Sequence, residues 1–145
     1  MFSKIVIPTD GSELSEKAID QGLELAKLAG GAVTIVRVTS PPAPIVVEGI
    51  AIPVPVDTIR ADVAERIRTY FDTIHAKAKA KGVTLTCKHL ENSQPWRAIV
   101  DAANEVKASL IVMASHGRSG VAAVLIGSET NKVLTHSKIP VLVVR

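Results

Sequence analysis

Five short runs rich in β-branched residues punctuate the chain: "KIVIP" from Lys4, "AVTIVRV" from Ala32 to Val38, "VTLTCKHL" from Val83, "SLIVMAS" from Ser109 to Ser115 and "PVLVV" from Pro140. None is joined to the next by a two-residue turn. Each of the first four leads into a stretch long enough to form a helix and cross back over a sheet. That pattern argues for parallel pairing with right-handed connections. The intervening stretches carry their own punctuation. Ser12 is a good N-cap for a helix over Glu13–Ala29, whose apolar stripe reads Leu14, Ala18, Leu25 and Leu28 before Gly30-Gly31 ends it. A second helix runs from about Val56 to Lys81, with Ile59, Val63, Ile67, Tyr70, Phe71 and Ile74 at helical spacing and Gly82 as its stop. A third spans about Gln94 to Val106, and a fourth starts near Ser128. The expectation is an α/β fold: a doubly wound, Rossmann-like, five-stranded parallel sheet in the order 3-2-1-4-5 with helices on both faces. At 145 residues the chain suits one domain over 1–145. Its 47% apolar content with only 3% aromatics fits strands buried on both faces.

Charge and cysteine usage narrow the function classes. A net charge of +3 admits nucleic acid in principle, but Lys and Arg are interspersed with Asp and Glu along the helices, and stacking aromatics are scarce. A nucleic-acid partner is therefore disfavoured. Cys87 is the sole cysteine, which rules out an internal disulfide and points to a reducing compartment. The apolar run ending at Asp10 is too short for a signal-peptide core, and nothing approaches the roughly 18 apolar residues of a membrane span. A cytoplasmic protein is expected.

The segment 39–55 is apolar yet holds five prolines, which excludes a regular helix and argues against a central strand. Such a loop covers something, whether a ligand site, a partner chain or its own core edge, with a dimer contact and a lid over a pocket as the two leading readings.

In an open parallel sheet, ligands bind at the carboxyl ends of the strands where the winding reverses. That rule singles out Pro8-Thr9-Asp10-Gly11-Ser12, Val38-Thr39 and Met113-Ala114-Ser115-His116-Gly117. After the fourth run comes "ASHGRSGVAAVLIGSETNKVL", with Gly117, Gly120 and Gly127 ahead of a helix start that Ser128 could cap. Glycines let backbone N–H groups approach an anion, the helix start adds unpaired donors, and Arg118 could meet phosphate oxygens. A Walker pattern is absent, and "PTDGS" stands where a dinucleotide fingerprint would be, which disfavours a P-loop NTPase and an ordinary dehydrogenase. His116 lacks a nucleophile or acid partner at a recognisable spacing, so it reads as a loop histidine that packs or touches phosphate. His75, His89 and His136 show no metal-ligand spacing. Trp96 is expected to pack at the start of the third helix, with Arg97 on the surface.

These residues resemble the universal stress protein family. "KIVIPTDGSELSEKAI" is similar to its opening, "LIVMASHGRSG" to its fourth strand and loop, and "LIGSETNKVLTHSKIPVLVV" to its closing helix and strand. The family's nucleotide-binding branch carries Gly, two residues, Gly, nine residues, then Gly and Ser or Thr. Here Ala114 replaces the first glycine, while Gly117 and Gly127-Ser128 keep the spacing. A methyl at 114 is tolerable if its backbone has negative φ, but it would narrow the room for ribose. The resemblance implies that Pro8, Thr9 and Asp10 line the adenine and ribose end, with Val38 and Met113 against the base. It further implies that Gly117, Gly127, Ser128 and the backbone at Glu129 and Thr130 hold phosphates. The implied activity is binding of ATP or AMP by a stress-response or signalling module, and the implied assembly is a homodimer through the terminal strand, 140–145. Two alternatives stand beside it: slow ATP hydrolysis with Mg²⁺ bridging the phosphates, and a homodimeric scaffold without nucleotide, which Ala114 favours.

Overall fold

The computed structural model of the chain describes residues 1–117 and 126–145. Its main sheet has five parallel strands: β1 (Lys4–Pro8), β2 (Ala32–Thr39), β5 (Thr84–Glu91), β6 (Leu110–Ala114) and β7 (Val141–Val144). They lie side by side in the order β5-β2-β1-β6-β7. In chain order that is 3-2-1-4-5, as the spacing of the β-branched runs predicts. The register is continuous between β1 and β2, with Lys4 opposite Ala32 and Pro8 opposite Val36. The winding runs outward from β1 through β2 to β5, then returns to β6 on the other side of β1. The reversal therefore falls between β1 and β6.

Among the described residues, four helices cover the two faces: α1 (Glu13–Ala29), α2 (Val56–Lys81), α3 (Pro95–Glu105) and α4 (Ser128–His136). Successive strand residues point to opposite faces, so each central strand feeds two cores. Ile5, Ile7, Val33, Ile35 and Val112 pack with Ile19, Leu23 and Ile74 from α1 and α2. Val6, Val36, Ile111 and Met113 pack with Ile99, Ala103 and Val133 from α3 and α4.

The helix ends show why these segments stop where they do. Ser12 Oγ accepts the Ser15 amide at 3.2 Å and caps α1. Gly30 and Gly82 end α1 and α2 at φ 63° and 70°, a left-handed conformation that glycine adopts without a Cβ penalty. The stripe of α1 differs from the one expected. Its buried face is Ser15, Ala18, Ile19, Gly22, Leu23 and Ala26, and Leu28 is 84% exposed. Small residues at 15, 18, 22 and 26 let the helix lie close on the sheet, so apolar size alone misreads the face.

The segment 39–55 is also more ordered than its prolines suggest. It holds a two-stranded antiparallel hairpin of β3 (Ile45–Val47) and β4 (Ile50–Ile52), with Ile45 opposite Ile52 and Val47 opposite Ile50. Glu48 and Gly49 form its turn at φ 50° and 80°, as a type I′ connection requires. The prolines flank the hairpin and leave its strands uninterrupted.

Cys87 lies on β5, half-buried against the core under α1 and α2. Burial, with a smaller contribution from Asp72, pushes its thiol up to about 11. The nucleophilic thiolate is scarce at neutral pH. Alkylation at pH 8 is expected to run about a hundredfold slower in the native protein than in the unfolded chain. Timed iodoacetamide labelling with and without denaturant measures this, and equal rates would show that the thiol is open to solvent.

Candidate functional site

A crevice of about 460 Å³ lies over the carboxyl ends of β2, β1 and β6, at the reversal of the winding. Its size falls within the range of small-molecule sites, roughly 300–1,000 Å³. The walls divide by chemistry. Val36 and Val38 from β2, Ile99 and Pro95 from α3 and Met113 from β6 are apolar. Gly117, Gly127 and the first residues of α4 bring backbone and hydroxyl groups, and Asp10, Arg37, His116 and Glu129 bring polar side chains.

The loop after β1 is held from several directions. Thr9 is buried, and its amide donates to Val36 O at 2.9 Å. Its hydroxyl accepts the Gly11 amide at 3.1 Å and shares hydrogen bonds with Ser15 Oγ at 3.0 Å and Tyr70 OH at 2.9 Å. Tyr70 OH also donates to Glu16, and burial together with that bond raises its pKa. Thr9 thus anchors the loop inward, which is a different use of its hydroxyl from touching a ligand. Asp10 Oδ1 accepts the Ser12 amide at 2.9 Å, a local turn that fixes the carboxylate. Its Oδ2 faces Gly117, where a Cβ would stand 2.6 Å away. Glycine at 117 therefore makes room for the Asp10 carboxylate.

The opposite wall is equally determined. Gly127 donates to Ser115 O at 2.6 Å, and a Cβ there would come within 3.1–3.3 Å of Ser115 O and His116. This close approach joins the start of α4 to the end of β6. Ser128 was expected to cap α4, but Gly127 occupies the N-cap position and Ser128 is the first helical residue. Among the described residues no side chain caps the helix, and its first intrahelical bond is from Asn131 N to Gly127 O. The amides of Ser128, Glu129 and Thr130 precede that bond, which is the donor arrangement of an anion site.

Thr130 donates its hydroxyl to Ala114 O at 2.8 Å, so its backbone is the group it presents. The Glu129 carboxylate accepts the Trp96 amide at 2.9 Å and pairs with Lys132 at 3.2 Å. Ser115 Oγ and His116 Nδ1 share a hydrogen bond of 3.1 Å, a partner for His116 that spacing did not suggest. Trp96 stacks on His136 with ring centroids 4.2 Å apart, and the exposed Arg97 lies over it.

Pro8, Thr9, Asp10, Val38, Met113, Ala114, His116, Gly117, Gly127, Ser128, Glu129 and Thr130 all line this one crevice. Arg118 lies outside the described residues. Ala114 ends β6, outside the positive-φ positions, so its methyl adds no backbone strain. Four lining residues were not expected: Val36, Arg37, Pro95 and Ile99. Arg37 had a signal, since it is the one charged residue in an otherwise uncharged strand beside Val38. Its guanidinium donates to Thr9 O at 3.2 Å. The apolar three look like ordinary core in the sequence.

The lining combines an apolar slot, a carboxylate and backbone donors. Apolar side chains can sandwich a flat base, a carboxylate can accept ribose hydroxyls, and close glycines with a helix start can receive phosphate.

An open, doubly wound parallel α/β domain with its crevice at the reversal point is the class these features define. The chain matches the model of the Universal stress protein family over residues 1–145 and belongs to that family. It is 33% identical over 150 residues to Universal stress protein YxiE of Bacillus subtilis (strain 168), with 100% of both chains covered. A crystal structure from the universal stress protein family of Burkholderia pseudomallei is 26% identical, with a TM-score of 0.76 over 99% of this chain and 96% of that one. A universal stress protein crystallised in complex with cAMP is also 26% identical, with a TM-score of 0.73 over 99% and 97% of the two chains. Among the described residues, no helix is long and apolar enough to cross a membrane.

Proposed function

We propose that the chain binds an adenine nucleotide, ATP or AMP, in the crevice between β1 and β6 and acts by binding as a stress-response or signalling module in the cytoplasm. The observation that carries this reading is the meeting of Asp10, Gly117 and the start of α4 beside an apolar slot. The relative in complex with cAMP supports an adenine nucleotide as the ligand class. In the proposal, Val38 and Met113 contact the base and Asp10 the ribose. Gly117, Gly127, Ser128 and the amides of Glu129 and Thr130 receive phosphate. With ATP, Mg²⁺ would accompany the phosphates.

Binding rather than turnover is favoured because the Glu129 carboxylate is held by the Trp96 amide and Lys132. A ligand that prefers one loop arrangement shifts the population by its differential affinity, which gives a signal without chemistry. Two copies are further proposed to meet along β7. It is an edge strand with Leu142 exposed, and Leu25 and Leu28 line the same shallow groove.

The first test is chromatography of the supernatant from freshly purified, denatured protein, followed by calorimetric titration with ATP and AMP. Native protein is expected to release or take up nucleotide. Gly127→Ala with Ser128→Ala is expected to weaken binding at least tenfold, because the added methyl pushes the start of α4 off Ser115 and His116. No nucleotide and no titration would favour the empty scaffold. Phosphate release lost in the double variant would favour the slow ATPase.

A further inference from the structure

The β3–β4 hairpin forms a sheet of its own and pairs with no strand of the main sheet. Side chains alternate across a strand, so the register places Ile45, Val47, Ile50 and Ile52 on one face, as the cross-strand pairs Ile45–Ile52 and Val47–Ile50. The four are 58%, 49%, 68% and 45% exposed. A two-stranded hairpin is marginal in water unless a face is covered, and this face presents four branched aliphatics to solvent.

The crevice does not account for this surface. None of residues 39–55 lines it, so the lid alternative finds no support among the described residues. The chain leaves the main sheet for the hairpin at Thr39, the end of β2. Thr39 Oγ1 and His89 Nε2 share a 2.7 Å hydrogen bond, the Asn92 amide donates to Thr39 O at 2.9 Å, and Arg60 from α2 grips Glu91 with two bonds at 2.7 and 3.0 Å. These contacts fix the end of β2 beside β5, so the chain sets out for the hairpin from that side of the sheet, away from the β7 edge.

We infer that the quartet face of the hairpin is a contact between two copies of this chain, packed quartet against quartet. Chemistry and area favour a second copy over other occupants. Glu48 is the one charged residue from 38 to 56, and there is no aromatic residue there, so the segment lacks the cations and rings that hold an element at a lipid surface. The quartet itself carries no charge to complement a basic or acidic partner, since Glu48 sits in the turn beyond it. The four side chains expose on the order of 400 Å², the size of a functional apolar patch. Two such faces, with flanking backbone and prolines, approach the roughly 1,000 Å² of a specific but weak dimer. A purely aliphatic face is also complementary to itself, which a two-fold contact requires. The contact is independent of what the crevice binds and distinct from pairing along β7.

Sedimentation equilibrium from micromolar to a few hundred micromolar protein tests the inference. The variant I45T/V47T/I50T/I52T keeps branched, strand-forming side chains and removes the apolar face. It is expected to associate at least tenfold more weakly than wild type, with an unchanged circular dichroism spectrum. Leu142→Lys, which disrupts only the β7 edge, is expected to retain the association that the quartet variant loses. Should the quartet variant lose its native spectrum, I45T/I52T makes the same comparison with one pair. Masses of wild type and variant that coincide at every concentration would overturn the inference, as would a monomeric Leu142→Lys. A monomeric wild type that floats with phosphatidylcholine vesicles would also overturn it, and would assign the face to lipid.

Discussion

Asp10→Ala and Gly117→Ala are each expected to weaken adenine-nucleotide binding by about tenfold to a hundredfold, and their effects are not expected to add. Asp10 is proposed to accept ribose hydroxyls with a charged oxygen, and hydrogen bonds to charged groups are worth about 1.5–3 kcal/mol. Gly117→Ala reaches the same group from the other side. The new methyl would stand 2.6 Å from Asp10 Oδ2 and 3.6 Å from its Cγ, so the carboxylate must leave its place. Once Asp10 is alanine, the methyl has nothing to displace. Gly117→Ala in that background should therefore cost little, the non-additivity of residues in contact. Asp10→Asn is the control for folding, because an amide oxygen can still accept the Ser12 amide that Oδ1 now binds at 2.9 Å. Calorimetry with ATP and AMP on the four proteins of the cycle decides the matter. Strictly additive losses would mean that Gly117 acts through its own backbone, and no loss in either single variant would remove Asp10 from the site.

The site was more legible in the sequence than the surfaces around it, and the reason lies in how each part is encoded. The turns that close the crevice are local. "PTDGS" and the Gly117 to Gly127-Ser128 spacing follow β-branched runs directly, and a strand that ends in such a turn has few places to go. The long α2 was equally plain, since its apolar positions recur at helical spacing from Ile59 to Ile74 and Gly82 breaks the pattern. What failed depended on packing between distant segments. Leu28 continues the arithmetic of an apolar stripe, yet α1 buries Gly22 and Ala26 because the helix lies close on the sheet. Val36 and Ile99 line the crevice with side chains indistinguishable from core, and only the meeting of β2 with α3 gives them that role. The hairpin was hidden for another reason. Five prolines suggested irregular chain, while its turn rests on a glutamate at φ 50° beside Gly49, a pairing less recognisable than Asn-Gly.

The same close approach of α1 sets up the largest expected change in stability. Ile7 is fully buried on β1, and its Cδ1 occupies the space where a Cβ on Gly22 would project, with Val112 3.7 Å from that position. Ile7→Ala is expected to lower stability by about 3–5 kcal/mol, since it removes buried methylene and methyl groups and leaves a cavity that a rigid sheet cannot collapse. A typical domain has only about 5–15 kcal/mol in total, so the melting temperature should fall by roughly 10 °C or more. Gly22→Ala in the wild-type background is expected to cost about 1–3 kcal/mol, because the methyl overlaps Ile7. In the Ile7→Ala background its sign should reverse. The methyl then fills part of the vacated space, and alanine is the better helix former by about 1 kcal/mol. Urea unfolding of the four proteins measures this directly. If Gly22→Ala destabilises both backgrounds equally, the contact between α1 and β1 is not what keeps residue 22 a glycine, and the close packing of that helix must have another origin.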